Sequence, residues 1–193
     1  YVLGPRVNAG GRVGASDLGA RLLSTNDPIE AREIAEQLDR HNQERRMIEE
    51  VLTHEALEQA EGLRAADPII IVDAEGWHPG VIGIVASRLK DRFDRPALVI
   101  GSDGTHAKGS ARSVPGFDIG AAVIAARQDG LLINGGGHPM AAGLTVEAGK
   151  IAALRDFLCT RAAASVEGRA QQPVMNIDGA LAVEGATPDL VTL

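Results

Sequence analysis

Residues 68–100 read PIIIVDAEGWHPGVIGIVASRLKDRFDRPALVI, and their periodicity sets the architecture of everything around them. Ile69, Ile70, Ile71 and Val72 form a continuous apolar run after one proline; Ala97, Leu98, Val99 and Ile100 form another after Pro96. Short runs of this kind, rich in β-branched residues, predict strands buried on both faces. Between them Val81, Ile82, Val85, Ala86 and Leu89 recur at helical spacing, which predicts a helix over about 79–93. Strand, helix and strand in that order form a βαβ unit with parallel strands and a right-handed crossover.

Working outward toward the C-terminus, Gly101-Ser102-Asp103-Gly104 reads as a turn and 107–112 as a short polar strand. A helix follows over about 118–128, ended by Gly130. Strands are expected at 131–133 and 143–146, on either side of a glycine-rich loop, and a final helix over about 148–164 places Ile151, Leu154, Phe157 and Leu158 on one face. The alternating Val174-Met175-Asn176-Ile177-Asp178 reads as the opening strand of a further domain, and Thr187-Pro188-Asp189 as a helix start. The expected class is α/β: a mixed, largely parallel central sheet flanked by helices and preceded by a long interdomain connector helix.

That connector lies on the N-terminal side. Asp27-Pro28-Ile29-Glu30 combines an N-cap acid, a proline at the first helical position and a glutamate three residues on, the pattern of a capping box. Ile34, Leu38, Ile48, Val51, Leu52, Ala56 and Ala60 keep a helical period, with no Gly or Pro before Gly62 and Pro68. The middle of this helix, residues 39–46, is almost wholly polar, as expected where a helix leaves one core and has not reached the next. Gly4-Pro5-Arg6-Val7-Asn8-Ala9-Gly10-Gly11-Arg12 is too rich in Gly and Pro for a core element. Four segments are therefore expected: 1–26, the connector over 27–66, a domain over 67–168, and the start of another over 169–193.

The chain has 193 residues, 45% of them hydrophobic, enough for one sizeable core. Tyr1 stands at the start instead of a methionine, so the chain reads as a piece of something longer. No apolar stretch approaches the roughly 20 residues that cross a membrane, and no secretory leader is recognisable, so a cytoplasmic location is expected. The lone Cys159 excludes an internal disulfide and reads as a packing residue. The net charge of −7 argues superficially against a nucleic-acid partner, yet residues 27–67 hold 12 acidic and 5 basic side chains, which leaves 14 of each elsewhere. The acidity belongs to the connector.

The segment of greatest chemical interest is Gly135-Gly136-Gly137-His138-Pro139-Met140-Ala141-Ala142-Gly143. Glycines take left-handed conformations at no steric cost, so their successive N–H groups suit convergence on a phosphate, to which His138 adds a hydrogen bond or a charge. The plain alternative is a glycine-rich turn with an incidental histidine. Three other clusters stand at expected element ends. In Lys108-Gly109-Ser110-Ala111-Arg112-Ser113 strand alternation puts Lys108, Ser110 and Arg112 on one side, three donors suited to an anion. In Gly76-Trp77-His78-Pro79-Gly80 the imidazole of His78 either caps the following helix or faces a phosphate, and Trp77 is a core residue or a stacking platform. Arg6 and Arg12 in the N-terminal Gly/Pro-rich stretch suit the lining of a groove. There is no HExxH, CxxC or G-x-S-x-G, and no Asp/His string able to hold a divalent metal; Asp73 and Glu75 near His78 are thin support for one.

These segments resemble the DHH phosphoesterase family. PRVNAGGR (5–12) is similar to the PRLNAAGR stretch that closes that family's catalytic domain, and LDRHNQER (38–45) to its connecting helix. WHPGVIGIVASR (77–88), KGSARS (108–113) and GGGHPMAAG (135–143) resemble the motifs of the DHH-associated domain. The long helix and the Trp77-His78 segment favour the RecJ group, single-strand-specific 5′ to 3′ DNA exonucleases of DNA repair and recombination. The resemblance implies that 1–26 is the end of the catalytic domain, 67–168 the DHH-associated substrate-binding domain, and 169–193 the truncated start of an OB-like domain. It implies Mn2+ or Mg2+ held by residues outside this chain, none bound by the fragment, and a fragment inactive on its own. Single-stranded DNA is the implied partner, with contacts to other repair proteins through missing domains and none to membrane. His138 would stabilise charge at the scissile phosphate; Gly135, Gly136, Gly137, Lys108, Ser110, Arg112, Ser113, Trp77, His78, Arg6 and Arg12 would bind the strand. A small-nucleotide or oligoribonucleotide phosphodiesterase, or a non-catalytic tRNA- or nucleic-acid-binding module, is the alternative.

Overall fold

The computed structural model describes residues 2–63, 67–166 and 179–188. Three short helices open it: α1 (Leu3–Val7), α2 (Gly10–Val13) and α3 (Leu18–Ser24). The Gly/Pro-rich start is thus helical, and Leu18 and Leu22 pack on Ile34 and Leu38 of the next helix. Glycine serves this packing by its small size, since a Cβ on Gly19 would stand 2.5 Å from the Val7 carbonyl oxygen.

Helix α4 (Pro28–Glu61) has 34 residues, about 51 Å at 1.5 Å per residue. Asp27 caps it, its Oδ1 accepting from the Ile29 N–H at 2.8 Å. The other half of the expected capping box does not form. Glu30 accepts instead from Thr25 Oγ1 at 2.6 Å and Arg21 Nη2 at 2.8 Å, and Thr25 Oγ1 takes the Asp27 N–H at 3.2 Å. The upstream threonine, folded back by α3, occupies the place that Glu30 was expected to fill. The two ends of α4 serve different cores, Ile34 and Leu38 at one and Leu52, Ala56 and Ala60 at the other.

Then follow β1 (Ile70–Glu75), α5 (Ile82–Phe93), β2 (Ala97–Ser102), β3 (His106–Arg112), α6 (Ile119–Gln128), β4 (Asn134–His138), β5 (Ala141–Glu147) and α7 (Ile151–Val166). The sheet order is β1-β2-β3-β5-β4. The α/β class, the mixed sheet and the long helix are as expected; the share of parallel pairing is smaller. Only β1 and β2 run parallel, joined across α5, while β2–β3, β3–β5 and β5–β4 are antiparallel. The reason is connection length: the turns after β2 and β4 are too short for the dozen or more residues of a crossover.

Strands β1 and β2 are buried on both faces. Ile70, Val72, Ala97 and Val99 pack on α4 and α5, and Ile69, Ile71, Leu98 and Ile100 on the α6 and α7 side with Val123, Leu154 and Leu158. β3 and β5 alternate instead, with Ala107, Gly109, Ala111, Ala142, Leu144 and Val146 buried and the residues that alternate with them not. One half of one sheet face, formed by β3, β5 and β4 beyond the edge of α5, therefore has no covering layer among the described residues.

The glycine segment is itself a strand. Residues 131–133 precede it as a loop in which Leu132 packs into the core, and β4 begins at Asn134. The expected strand at 173–178 lies outside the described residues, as does part of the helix start after Thr187; described residues 179–188 hold one short turn of 3-10 helix, Val183–Gly185.

Candidate nucleic-acid interface

Strand register builds the site. Ser110 on β3 stands opposite Gly143 on β5, which stands opposite Gly136 on β4; Arg112 stands opposite Ala141, which stands opposite His138. Directly opposed residues point to the same face. Lys108, Thr145 and Asn134 make a third such row. Ser110, Arg112, Gly136 and His138 thus share the uncovered face, with the Arg112 and His138 backbones two strand spacings, about 10 Å, apart.

Arg112 lies half buried along this face. Its Nη1 donates to Ser110 Oγ at 3.2 Å and to the Ala111 carbonyl at 2.8 Å, which leaves Nε and Nη2 without partners among the described residues. Burial first, and the positive charge of nearby Arg12 second, hold its pKa below the ordinary arginine value; an arginine remains a cation under such a shift. Room for the side chain comes from α5. A Cβ on Gly83 would stand 2.9 Å from Ser110 Oγ and 3.2 Å from Arg112 Nη2.

Arg12 reaches the same region from the N-terminal helices. Its Nη1 donates to the Gly80 carbonyl at 3.1 Å, and a Cβ on Gly80 would stand 2.0 Å from the Arg12 carbonyl oxygen. Close backbone contact at the start of α5 therefore fixes where this guanidinium sits. No carboxylate lies within ion-pair distance of Arg12, Lys108 or Arg112 among the described residues. Arg6, Arg21, Arg92 and Arg155, by contrast, are paired with Asp39, Glu30, Glu61 and Asp73. A cation-rich surface without acids is an anion site by composition.

His138 is exposed, and its Nδ1 accepts from the Met140 N–H at 3.4 Å. In the neutral ring the proton then sits on Nε2, which leaves a donor for a ligand.

The remaining expected residues fall elsewhere. Ser113 is buried, donates from Oγ to the Phe117 carbonyl at 2.6 Å and from its N–H to the Met140 carbonyl at 2.9 Å; it holds the turn after β3 and faces no ligand. Trp77 is buried and donates from Nε1 to Glu55 Oε2 at 2.7 Å, so its ring locks α4 to the sheet and offers no stacking face. His78 neither caps α5, whose N-cap Val81 has no side-chain cap bond, nor lines the groove: its Nδ1 accepts from the Gly80 N–H at 3.1 Å in the turn before the helix, and its ring lines a separate apolar recess with Ile48, Val51 and Trp77. Arg6 is held by Asp39 at 2.6 Å on the far side of α4. The three glycines do not cradle an anion. None takes a positive φ; their extended N–H groups alternate in direction, and the Gly135 N–H is taken by Asn134 Oδ1 at 2.8 Å.

Gly83, Asn134, Gly143 and Thr145 were not singled out from sequence as binding positions. Alternation along one strand was readable; which strand lies beside which was not.

Residues 66–164 match the DHHA1 domain, and the chain belongs to that family. RecJ exonucleases are among its relatives. It is 40% identical over 193 residues to the single-stranded-DNA-specific exonuclease RecJ of Bacillus subtilis, covering 99% of this chain and 24% of that protein. To the RecJ of Escherichia coli it is 40% identical over 158 residues, covering 78% and 27%. The crystal structure of RecJ in complex with Mg2+ from Thermus thermophilus superposes with a TM-score of 0.76 at 32% identity, covering 85% of this chain and 25% of that one. A crystal structure of exonuclease RecJ bound to manganese gives 0.73 at 32% identity, covering 86% and 42%. The chain spans about a quarter of the length of the curated relatives it matches.

The metals named in those structures do not fit the described residues here. No three His, Cys, Asp or Glu side chains come together among the described residues, and the groove lined by Lys108, Ser110, Asn134 and Thr145 has no carboxylate in its lining. No described helix is long and apolar enough to cross a membrane.

Proposed function

We propose that this chain is the substrate-gripping portion of a single-strand-specific 5′ to 3′ DNA exonuclease that hydrolyses phosphodiester bonds in DNA repair and recombination in the cytoplasm. The observation that carries the reading is Lys108 and Arg112, without a carboxylate partner among the described residues, on the same sheet face as His138, with Arg12 of α2 near Arg112, in a chain 40% identical to a RecJ. Segments 1–26, 27–66, 67–168 and 169–193 are then the end of the catalytic domain, the connector, the DHH-associated domain and the start of the next domain.

On this reading Ser110 and Arg112 clamp one phosphate. Arginine presents two donors to two oxygens, and the serine hydroxyl adds a donor without bulk. His138 Nε2, across β5, donates to a phosphoryl oxygen as negative charge builds on it, the kind of preorganised donor that acts most strongly in the transition state. A divalent cation, Mn2+ or Mg2+, would be held by residues outside this chain and would there supply the activation of water. The chain alone is expected to bind strands weakly and hydrolyse none.

The test uses the full-length protein with His138→Ala. Loss of one such donor lowers kcat by about 100-fold, and binding of a single strand, held mainly by the cations, changes only a few-fold. Unchanged turnover would remove His138 from the reaction. Preference for dinucleotides over long strands would move the protein to the small-nucleotide phosphodiesterases, and metal-independent strand binding without hydrolysis to the non-catalytic modules.

A further inference from the structure

The three glycines of β4 and Gly143 of β5 divide into two kinds. A Cβ on Gly135 would stand 2.8 Å from Val123 Cγ1, and one on Gly137 2.3 Å from the Ala141 carbonyl oxygen, so close packing on the α6 side requires both. A Cβ on Gly136 would meet nothing within 4 Å, and one on Gly143 only the Gly109 carbonyl oxygen at 4.0 Å. Neither takes a positive φ. Gly136 and Gly143 are nevertheless directly opposed, in register with Ser110. Glycine in a strand interior is less stable than alanine by about 0.5–1 kcal/mol, and neither backbone conformation nor packing explains its presence at these two positions.

They form the floor of a groove of about 490 Å³. Pro79 and Ile82 supply an apolar wall, and Lys108, Asn134 and Thr145 a polar far end. The Lys108 row lies four residues along β3 from the Arg112 row, about 13 Å. That distance exceeds one phosphate and leaves room for a nucleoside between two cations. The described aromatic rings offer no platform here, since Trp77 is buried. A floor without Cβ atoms exposes flat peptide groups, and any base has a planar face to lay on them regardless of sequence.

We propose that Gly136 and Gly143 form a bare-backbone seat on which the nucleobase adjoining the phosphate at Ser110 and Arg112 lies flat against Pro79, while Lys108 meets the phosphate on its far side. The proposal rests on the reading of Ser110 and Arg112 as a phosphate clamp. It adds a second nucleotide position, and with it a preference for a continuing strand over a lone nucleotide.

The experiment is a cycle between protein and substrate in the full-length protein. Gly143→Val, with Gly143→Ala as the milder variant, is assayed on a single-stranded oligonucleotide and on strands in which each of the first four nucleotides in turn is abasic. The expected result is that Gly143→Val raises KM at least tenfold on the intact strand. At one position base removal raises KM comparably in the native protein, and at that position the two changes together do little more than either alone. Effects that multiply at every position, an intact-strand KM unchanged in both variants, or a KM rise equal on all substrates with a fall in Tm, as if another part of the protein packed on the floor, would each overturn the seat. A native protein that hydrolyses none of these strands would instead overturn the exonuclease reading itself.

Discussion

Gly83 separates two effects that usually travel together. It lies inside α5, where replacing glycine by alanine favours the helix by about 1 kcal/mol. Its missing Cβ is also the space that Ser110 Oγ and Arg112 Nη2 occupy, at 2.9 and 3.2 Å from where the Cβ would stand. Ser110 Oγ, the closer atom, moves by rotation about one bond and the Arg112 end is flexible, so the displaced groups are side-chain ends and the strain is small beside the helical gain. Gly83→Ala is therefore expected to keep or raise Tm and to weaken single-strand binding several-fold; thermal unfolding and a binding titration on the same sample check both halves, and a Tm drop with intact binding would contradict it. The residue types of the site were legible: Lys108, Ser110, Arg112 and His138 carry the chemistry an anion needs. Ser113 and Trp77 misled because the same donors also bond partners within the fold, here the Phe117 carbonyl and the Glu55 carboxylate. Sequence does not say which partner a donor finds.

Helix α4 is tied to α5 by charge as well as by the apolar packing of Leu52, Ala56 and Ala60 on α5. Glu49 is buried and bonded by Arg45 of its own helix and Arg88 of α5, and Asn42 Oδ1 accepts from Arg45 Nη2 at 3.0 Å. Removing one member of such a buried set leaves the others uncompensated. Glu49→Ala leaves mainly the largely buried Arg45 without its acceptor, since Arg88 is 57% exposed, and is expected to destabilise by about 1–3 kcal/mol, read from denaturant unfolding, whereas Glu50→Ala, one residue on and exposed, stays within about 0.5 kcal/mol. Equal effects would show the network to be passive. The existence of α4, its start at Pro28 and the apolar period of its ends were readable, because caps and helical spacing act over a few neighbouring residues. The burial of its polar middle was not, since Arg88 comes from 39 residues away.

At the scale of the whole molecule, a net charge of −7 coexists with a cationic groove because the acids are concentrated in residues 27–67. Arg12, Lys108 and Arg112 converge from the N-terminal helices and β3 onto one face. If each meets a phosphate, each contributes about 0.7 to the slope of log affinity against log salt for a single strand. In the full-length protein the triple variant Arg12→Ala, Lys108→Ala, Arg112→Ala is expected to reduce that slope by about 2 between about 50 and 200 mM salt, measured by titration. An unchanged slope would place the strand elsewhere. Sequence by itself determined the βαβ unit, the long capped helix and the alternation along β3, all consequences of neighbours within a few positions. Only the tertiary structure decided the sheet order and hence which half of its face stays open, that Arg12 joins Arg112, and that two glycines are packed while two are bare. Those depend on register between distant strands, where a shift of one residue turns every side chain to the opposite face.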